Sequence, residues 1–204
     1  MQAILDDKLP IGRYVGIDVA PKLIDFLQKS VTDPRFTFYV SNSHNEMYNP
    51  EGEPLSAGSH LPVEEASFDI ICLFSVFTHL APHDYVAMLQ MLRRYIKPGG
   101  KIIFSLFLNE TTKGGLSFID GVTRAWGANA QHSSKFQAAF REKLEAVNEN
   151  GELDFLDYDK SQPLKWAIYA RSNALRLMQK TGWAVDSLND PEGCIQHYMI
   201  CSPI

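Results

Sequence analysis

The sequence predicts an α/β fold, a mostly parallel sheet with helices on both of its faces. Three observations predict it. Residues 68–108 spell strand, loop, amphipathic helix, glycine turn and strand in one uninterrupted run. Residues 13–31 spell another strand followed at once by a helix, and a length of 204 residues suits one domain with a sizeable core.

The elements follow in order. Ala3, Ile4 and Leu9 read as the end of a helix, and Arg13 to Val19 as a short strand. Ala20-Pro21 then opens a helix, because proline is tolerated where the first turn needs no donor, and Leu23, Ile24, Leu27 and Val31 share one face. Pro34 breaks the pattern before a strand over Phe36 to Val40. The loop from Ser41 to Ser67 is rich in Asn, Ser, Gly and Pro, and it is too long for a passive connection.

Ile70 to Phe74 is continuously apolar, as in a strand buried on both faces of a parallel sheet. Pro82 opens the next helix, Asp84 adds negative charge to its first turn, and Tyr85, Met88, Leu89, Leu92, Tyr95 and Ile96 form one stripe. A Lys97-Pro98-Gly99-Gly100 turn leads into a strand over Lys101 to Leu108, which completes a parallel strand, helix and strand unit. Residues 109–166 depart from the alternation. Within them His132 to Val147 reads as a helix with Ser133 or Ser134 near its cap and Phe136, Phe140, Leu144 and Val147 inward, so a helical insertion is expected within a single domain spanning 1–204. Ser172 caps a last helix with Leu175 and Met178 inward and Gly182 at its end, and strands follow near Trp183 to Leu188 and His197 to Cys201.

Composition narrows the function. Lys and Arg total 19 against 24 Asp and Glu, a net charge of -5, with no block of like charge to follow a phosphate backbone, so a duplex nucleic acid is not an expected partner. The three cysteines, Cys72, Cys194 and Cys201, lack CxxC spacing, so neither a disulfide framework, nor a zinc site, nor any other metal is indicated, and a reducing cytoplasm fits. The N-terminus lacks a basic, apolar leader and no segment approaches the apolar length of about 18 residues that spans a bilayer, so a cytoplasmic protein with no membrane partner is expected.

The ordered set in FDIICLFSVFTHLAPHDYVAMLQMLRRYIKPGGKIIFSLFL, Phe68 to Leu108, resembles the second half of a class I S-adenosylmethionine-dependent methyltransferase of the type 11/12-like methyltransferase-domain kind. The segment YVGIDVAP around Asp18 resembles the second motif of the same family. The resemblance implies a Rossmann-like sheet of strand order 3-2-1-4-5-7-6 with the insertion after the fifth strand. It also implies S-adenosylmethionine as cofactor. The family's first motif, a strand followed by a GxGxG-like loop, does not precede Asp18, so the first and central strand is missing and two apolar neighbours would have open edges. Three explanations stand: the chain is a fragment of a longer reading frame, which the intact remainder favours, or a partner chain supplies the strand, or the protein is a degenerate relative that binds no cofactor. An upstream segment or a partner chain is therefore expected to complete the sheet.

Ligands of open parallel sheets bind beyond the carboxyl ends of the strands, and a carboxylate there can accept from both hydroxyls of a ribose. On the resemblance this is Asp18, with Val19 flanking the adenine; the alternative for Asp18 is a helix cap. Asn42 stands where the family commonly has an acidic residue that accepts from the adenine amino group, and its side-chain carbonyl can do so without charge assistance. Ser43 is a poorer version of the same case, and an Asx turn is the local alternative. Phe74 and Ser75 fall where relatives hold the methionine part of the cofactor, mostly through backbone groups. His79 is the best placed candidate base, its alternative being to hold the loop. Phe118, Trp126, Phe136, Trp166 and Tyr169 are candidates for pocket walls, each of them equally a core residue.

Methyl transfer to a small-molecule, carbohydrate-like or lipid-like acceptor, preferably at oxygen, is the activity the resemblance implies. N/DPPY-type motifs of base methylation are absent. The rivals are an interaction module that has lost its cofactor and a nicotinamide-dependent oxidoreductase, which also reads ribose through an acidic residue after the second strand. The SVFTHL to KPGG run argues against the second.

Overall fold

In this computed structural model the described residues are 9–46, 48–110, 154–157, 164–190 and 195–204, together with residues 4, 6, 7, 138 and 142. They divide between two compact units, Met1–Pro54 and Leu55–Ile204.

The first unit holds β1 (Tyr14–Asp18), α1 (Pro21–Ser30) and β2 (Phe36–Val40). β1 and β2 pair in parallel from Tyr14 opposite Phe36 to Asp18 opposite Val40. The apolar face of α1 buries Ile24 against Phe36 and Phe38, with Leu27 and Val31 beside them, and the Gln28 amide donates to the Phe38 carbonyl at 2.9 Å. Leu23, expected on this face, is 44% exposed, because a helical stripe centred on Ile24 turns its neighbour outward.

The start of the long loop is folded on itself. His44 N–H donates to Glu53 O and Glu53 N–H to Asn42 O, both at 2.7 Å, while the Asn49 side chain donates to Ser43 O at 3.0 Å. Gly52 permits this closure, since a Cβ there would lie 2.7 Å from the backbone of both Ser43 and His44.

The second unit contains β3 (Phe68–Leu73), a 3₁₀ turn (Phe77–His79), α2 (Pro82–Leu92), β4 (Ile96–Leu108), β5 (Phe155–Asp157), β6 (Ala167–Tyr169), α3 (Arg171–Met178), β7 (Trp183–Asn189) and β8 (His197–Pro203). The sheet runs β5-β6-β4-β8-β7, with β3 also on β4. β3 and β6 are parallel to β4, and β8 is antiparallel to both β4 and β7. In the family order the path β3-β4-β8-β7 reads 4-5-7-6, and the separate pair β1-β2 reads 2-3. No strand equivalent to the first is among the described residues. Phe77, Tyr85 and Phe104 pack ring to ring at the centre of the core, where α2 covers β4.

Several expectations change. β3 is not buried on both faces: Ile70 is 59% exposed, and β4 is the strand's one ladder partner among the described residues. The helix expected to reach Ile96 ends at Leu92, and Tyr95 and Ile96 are buried by the turn and strand that follow instead. The KPGG turn lies inside β4 as a bulge: from Phe68 to Ile70 on β3 the partner advances from Ile96 to Lys101, with Gly99 at φ +79°. α3 is capped by Ala170 rather than Ser172, and Leu175 is 37% exposed while Asn173 and Ala174 are buried in its place. The short strands β5 and β6 were not foreseen. The expected helix His132 to Val147 lies outside the described residues, apart from 138 and 142, as do Phe118, Trp126 and Phe136. Trp166 and Tyr169 are core residues.

Candidate functional site

In the first unit the candidate residues share the carboxyl edge of the two parallel strands. Asp18 closes β1, and its carbonyl accepts from Ser41 N–H at 2.9 Å, directly after β2. This register places Asp18 and Val19 on the same edge as Asn42 and Ser43. The Asp18 Oδ1 accepts from the Ala20 N–H at 2.9 Å, an Asx-type turn that feeds α1. Both readings of Asp18 are thus compatible, since one oxygen braces the turn and Oδ2 makes no hydrogen bond among the described residues. Asn42 is exposed, and the Ser43 hydroxyl lies 2.8 Å from that of Ser41.

In the second unit β3 is followed by an exposed aromatic, Phe74 (65% exposed), and then by Ser75 in the left-handed region at φ +57°. A residue with a Cβ takes that conformation at a cost, so the surroundings must hold it there. They do so with three hydrogen bonds. The Ser75 N–H donates to Ser105 Oγ at 2.8 Å, Ser105 Oγ donates to Gln196 Oε1 at 2.6 Å, and Gln196 Nε2 donates to Ser75 Oγ at 2.8 Å.

His79 sits in the 3₁₀ turn with Nδ1 3.0 Å from the Leu164 carbonyl. Partial burial lowers its pKa from the ordinary value, opposed by backbone contacts to Leu164 and Lys165. A carbonyl only accepts, so Nδ1 carries the hydrogen of this contact, and it ties the turn to the segment before β6.

A further cluster gathers at the end of β4 and the start of β8. The Arg171 guanidinium grips both oxygens of Glu110, with Nε to Oε2 at 2.7 Å, and its terminal nitrogen lies 3.6 Å from Asp190. His197, 2% exposed, places Nε2 2.8 Å from Glu110 Oε1. Burial lowers the His197 pKa, and the carboxylate of Glu110 pulls the other way. Glu110, Asp190 and His197 offer ligand atoms within 4.8 Å of one another, but the guanidinium already supplies the positive charge in their midst.

Sequence reasoning missed Ser105, Glu110, Arg171, Asp190 and His197. The contacts that gather them, such as Glu110 to Arg171 across 61 residues and Ser105 to Gln196 across 91, are long-range, so no local spacing could have announced them.

Residues 2–104 match the family model described as a methyltransferase domain. A stretch of 95 residues is 33% identical to the tRNA(Thr) (cytosine(32)-N(3))-methyltransferase of Saccharomyces cerevisiae; it is 45% of this chain and 14% of that protein, so the chain spans only a small part of its relative. Among solved structures, a SAM-dependent methyltransferase from Methanosarcina mazei aligns with TM-score 0.54 and 12% identity over 93% of this chain and 81% of its own. OxaC, solved in complex with SAH and oxaline, aligns with TM-score 0.58 and 12% identity over 100% of this chain and 39% of its own. At such identities the structural likeness speaks for the fold, and it is the Rossmann-like one. With half its length matched to the family model, the chain belongs to the methyltransferase-domain family of class I, S-adenosylmethionine-dependent enzymes.

Proposed function

We propose that the protein transfers the methyl group of S-adenosylmethionine to a small-molecule, carbohydrate-like or lipid-like acceptor, with oxygen the preferred accepting atom. The observation that carries this reading is the Asp18 carboxylate at the carboxyl end of β1, one oxygen fixed by the turn and the other without a hydrogen bond among the described residues. In the proposal Asp18 accepts from the ribose hydroxyls, Val19 flanks the adenine, and Asn42, with Ser43 beside it, accepts from the adenine amino group. Phe74 and Ser75 take the methionine end. The reaction is a displacement: the methyl–sulfur bond breaks with its electrons left on sulfur, a methyl–oxygen bond forms, and the acceptor's proton passes to solvent.

Such a step gains mainly from positioning and needs no covalent nucleophile. His79, engaged at Leu164, serves in this reading as a brace for the turn rather than as the base. Acceptor choice falls to the Leu55 to Glu65 loop and to the insertion at 109–166. A cytoplasmic setting fits the free thiols of Cys72 and Cys201. The net charge of -5 weighs against a nucleic acid acceptor, although the yeast relative is named for one.

The test is calorimetric titration of S-adenosylhomocysteine into the full chain. A Kd of about micromolar order is expected. Asp18→Ala should weaken it roughly 10- to 100-fold, the scale of hydrogen bonds to a charged group. Asp18→Asn, which keeps the turn acceptor but not the charge, should fall between. A folded wild-type chain that gives no heat would overturn the reading; for a chain that does bind, an acceptor panel that includes tRNA decides the substrate class.

A further inference from the structure

We infer that Gln196 is the positioning residue for the amino-acid end of the cofactor, acting through the conformation of the Phe74-Ser75 step. The inference rests on the proposed reading of Phe74 and Ser75 as the methionine-binding step.

Four observations lead to it. Ser75 stands at the carboxyl end of a parallel strand, where ligands of such sheets are held, and it is in the left-handed region, φ +57°. Strain of that kind persists only where neighbours over-determine it, and it is concentrated at ligand clamps. The neighbours here are two side chains, one on β4 and one just before β8. Ser105, on β4, is 4% exposed and uses its hydroxyl both to receive the Ser75 N–H and to reach Gln196. Gln196, at the entrance of β8, closes the triangle by donating to the Ser75 hydroxyl.

The carboxamide suits this task for a chemical reason. It presents an acceptor and a donor a fixed distance apart, so it can accept the Ser105 hydroxyl's hydrogen bond and donate one to Ser75 at the same time. A carboxylate would lack the donor and an aliphatic residue would lack both. With the triangle closed, the Ser75 N–H and hydroxyl are engaged inward, so the exposed Phe74 end of the strand is held in one orientation. Gln196 itself need not touch the ligand.

The experiment compares two probes, S-adenosylhomocysteine and adenosine, the second lacking the amino-acid part, by calorimetry on the full chain. Gln196→Ala should weaken S-adenosylhomocysteine about tenfold, the loss of one to two hydrogen bonds, and leave adenosine within about twofold. Adding Ser75→Gly should restore part of the loss, because glycine enters the left-handed region without cost. If Gln196→Ala fails to fold, Ser105→Ala cuts the same triangle from β4 and should show the same split. An equal loss for both probes, no loss for either, or no rescue by glycine overturns the inference. A wild-type chain that binds adenosine but not S-adenosylhomocysteine overturns it as well, with the nucleoside reading intact. A folded wild-type chain that binds neither probe overturns the cofactor reading itself, and the inference with it.

Discussion

The imidazole Nε2 of His197, first residue of β8, lies 2.8 Å from Oε1 of Glu110, two residues beyond the end of β4. Burial outweighs the carboxylate and keeps the ring pKa below 6.5, and burial does the same to His79. Both rings therefore bind fewer protons in the folded chain than in the unfolded one. The stability they contribute is present above about pH 6.5 and is lost as pH falls through that value, by at most about 1.4 kcal/mol per pH unit for each ring. Urea unfolding from about pH 8 down to about pH 5 should show this slope, and His197→Gln and His79→Gln should each make it shallower. Variants that track the wild type would show that these rings are not its source.

Tyr169 and Tyr85 are both fully buried, yet their hydroxyls should differ in worth. The Tyr169 hydroxyl donates to the Leu80 carbonyl at 2.5 Å, whereas that of Tyr85 has, among the described residues, the Ala174 carbonyl and the Met178 sulfur at 3.4 Å. Tyr169→Phe leaves a buried carbonyl unpaired and should cost about 1–3 kcal/mol; Tyr85→Phe should cost less than about 1 kcal/mol. Denaturant midpoints measure the difference, and the reverse ranking would contradict the hydrogen-bond geometry.

The bulge in β4 gives two adjacent glycines different reasons to be there. Gly99 is at φ +79° in open space, and Gly100 has room only because a Cβ would lie 2.8 Å from the Asp69 carbonyl and the Ile96 side chain. Gly99→Ala should cost about 1–2 kcal/mol through the backbone alone. Gly100→Ala should cost more and should also loosen the β3 ladder, seen as faster amide exchange at Ile71 and Leu73 relative to the Gly99 variant. Equal exchange in the two variants would remove the steric account.

A brace and a base leave different marks on a pH profile. His79→Gln keeps a donor for the Leu164 carbonyl, so the acid limb of kcat/KM is expected to keep its shape, with the rate lowered by less than about tenfold. Disappearance of that limb in the variant would make His79 the base after all.

Where the sequence spoke clearly, local chemistry was sufficient. Phe36 to Val40 is a strand to the residue, and Pro21 and Pro82 both open helices, because strand composition and proline at a first turn act over a few residues. The same logic misplaced Tyr95 and Ile96, whose apolar character fits a helix stripe and a buried strand start equally well. It overburied β3, since an apolar run reports what a strand could cover and not which neighbours cover it. Asp18 was legible as the residue that ends β1 and turns the chain into α1. Ser105 was not, because a serine inside an apolar strand gains its meaning from Gln196, 91 residues on.

The order β4-β8-β7 has a consequence for how the chain is made. β7 precedes β8 in synthesis but lies outside it in the sheet, so β7 can join β4 only through a strand the ribosome has not yet delivered. Until His197 to Pro203 emerges, β4 keeps an open flank, and Ser75 lacks the Gln196 that closes its triangle. The last strand is thus an insertion event, slow by the distance of its contacts, and the nascent chain completes this sheet only once that event is over.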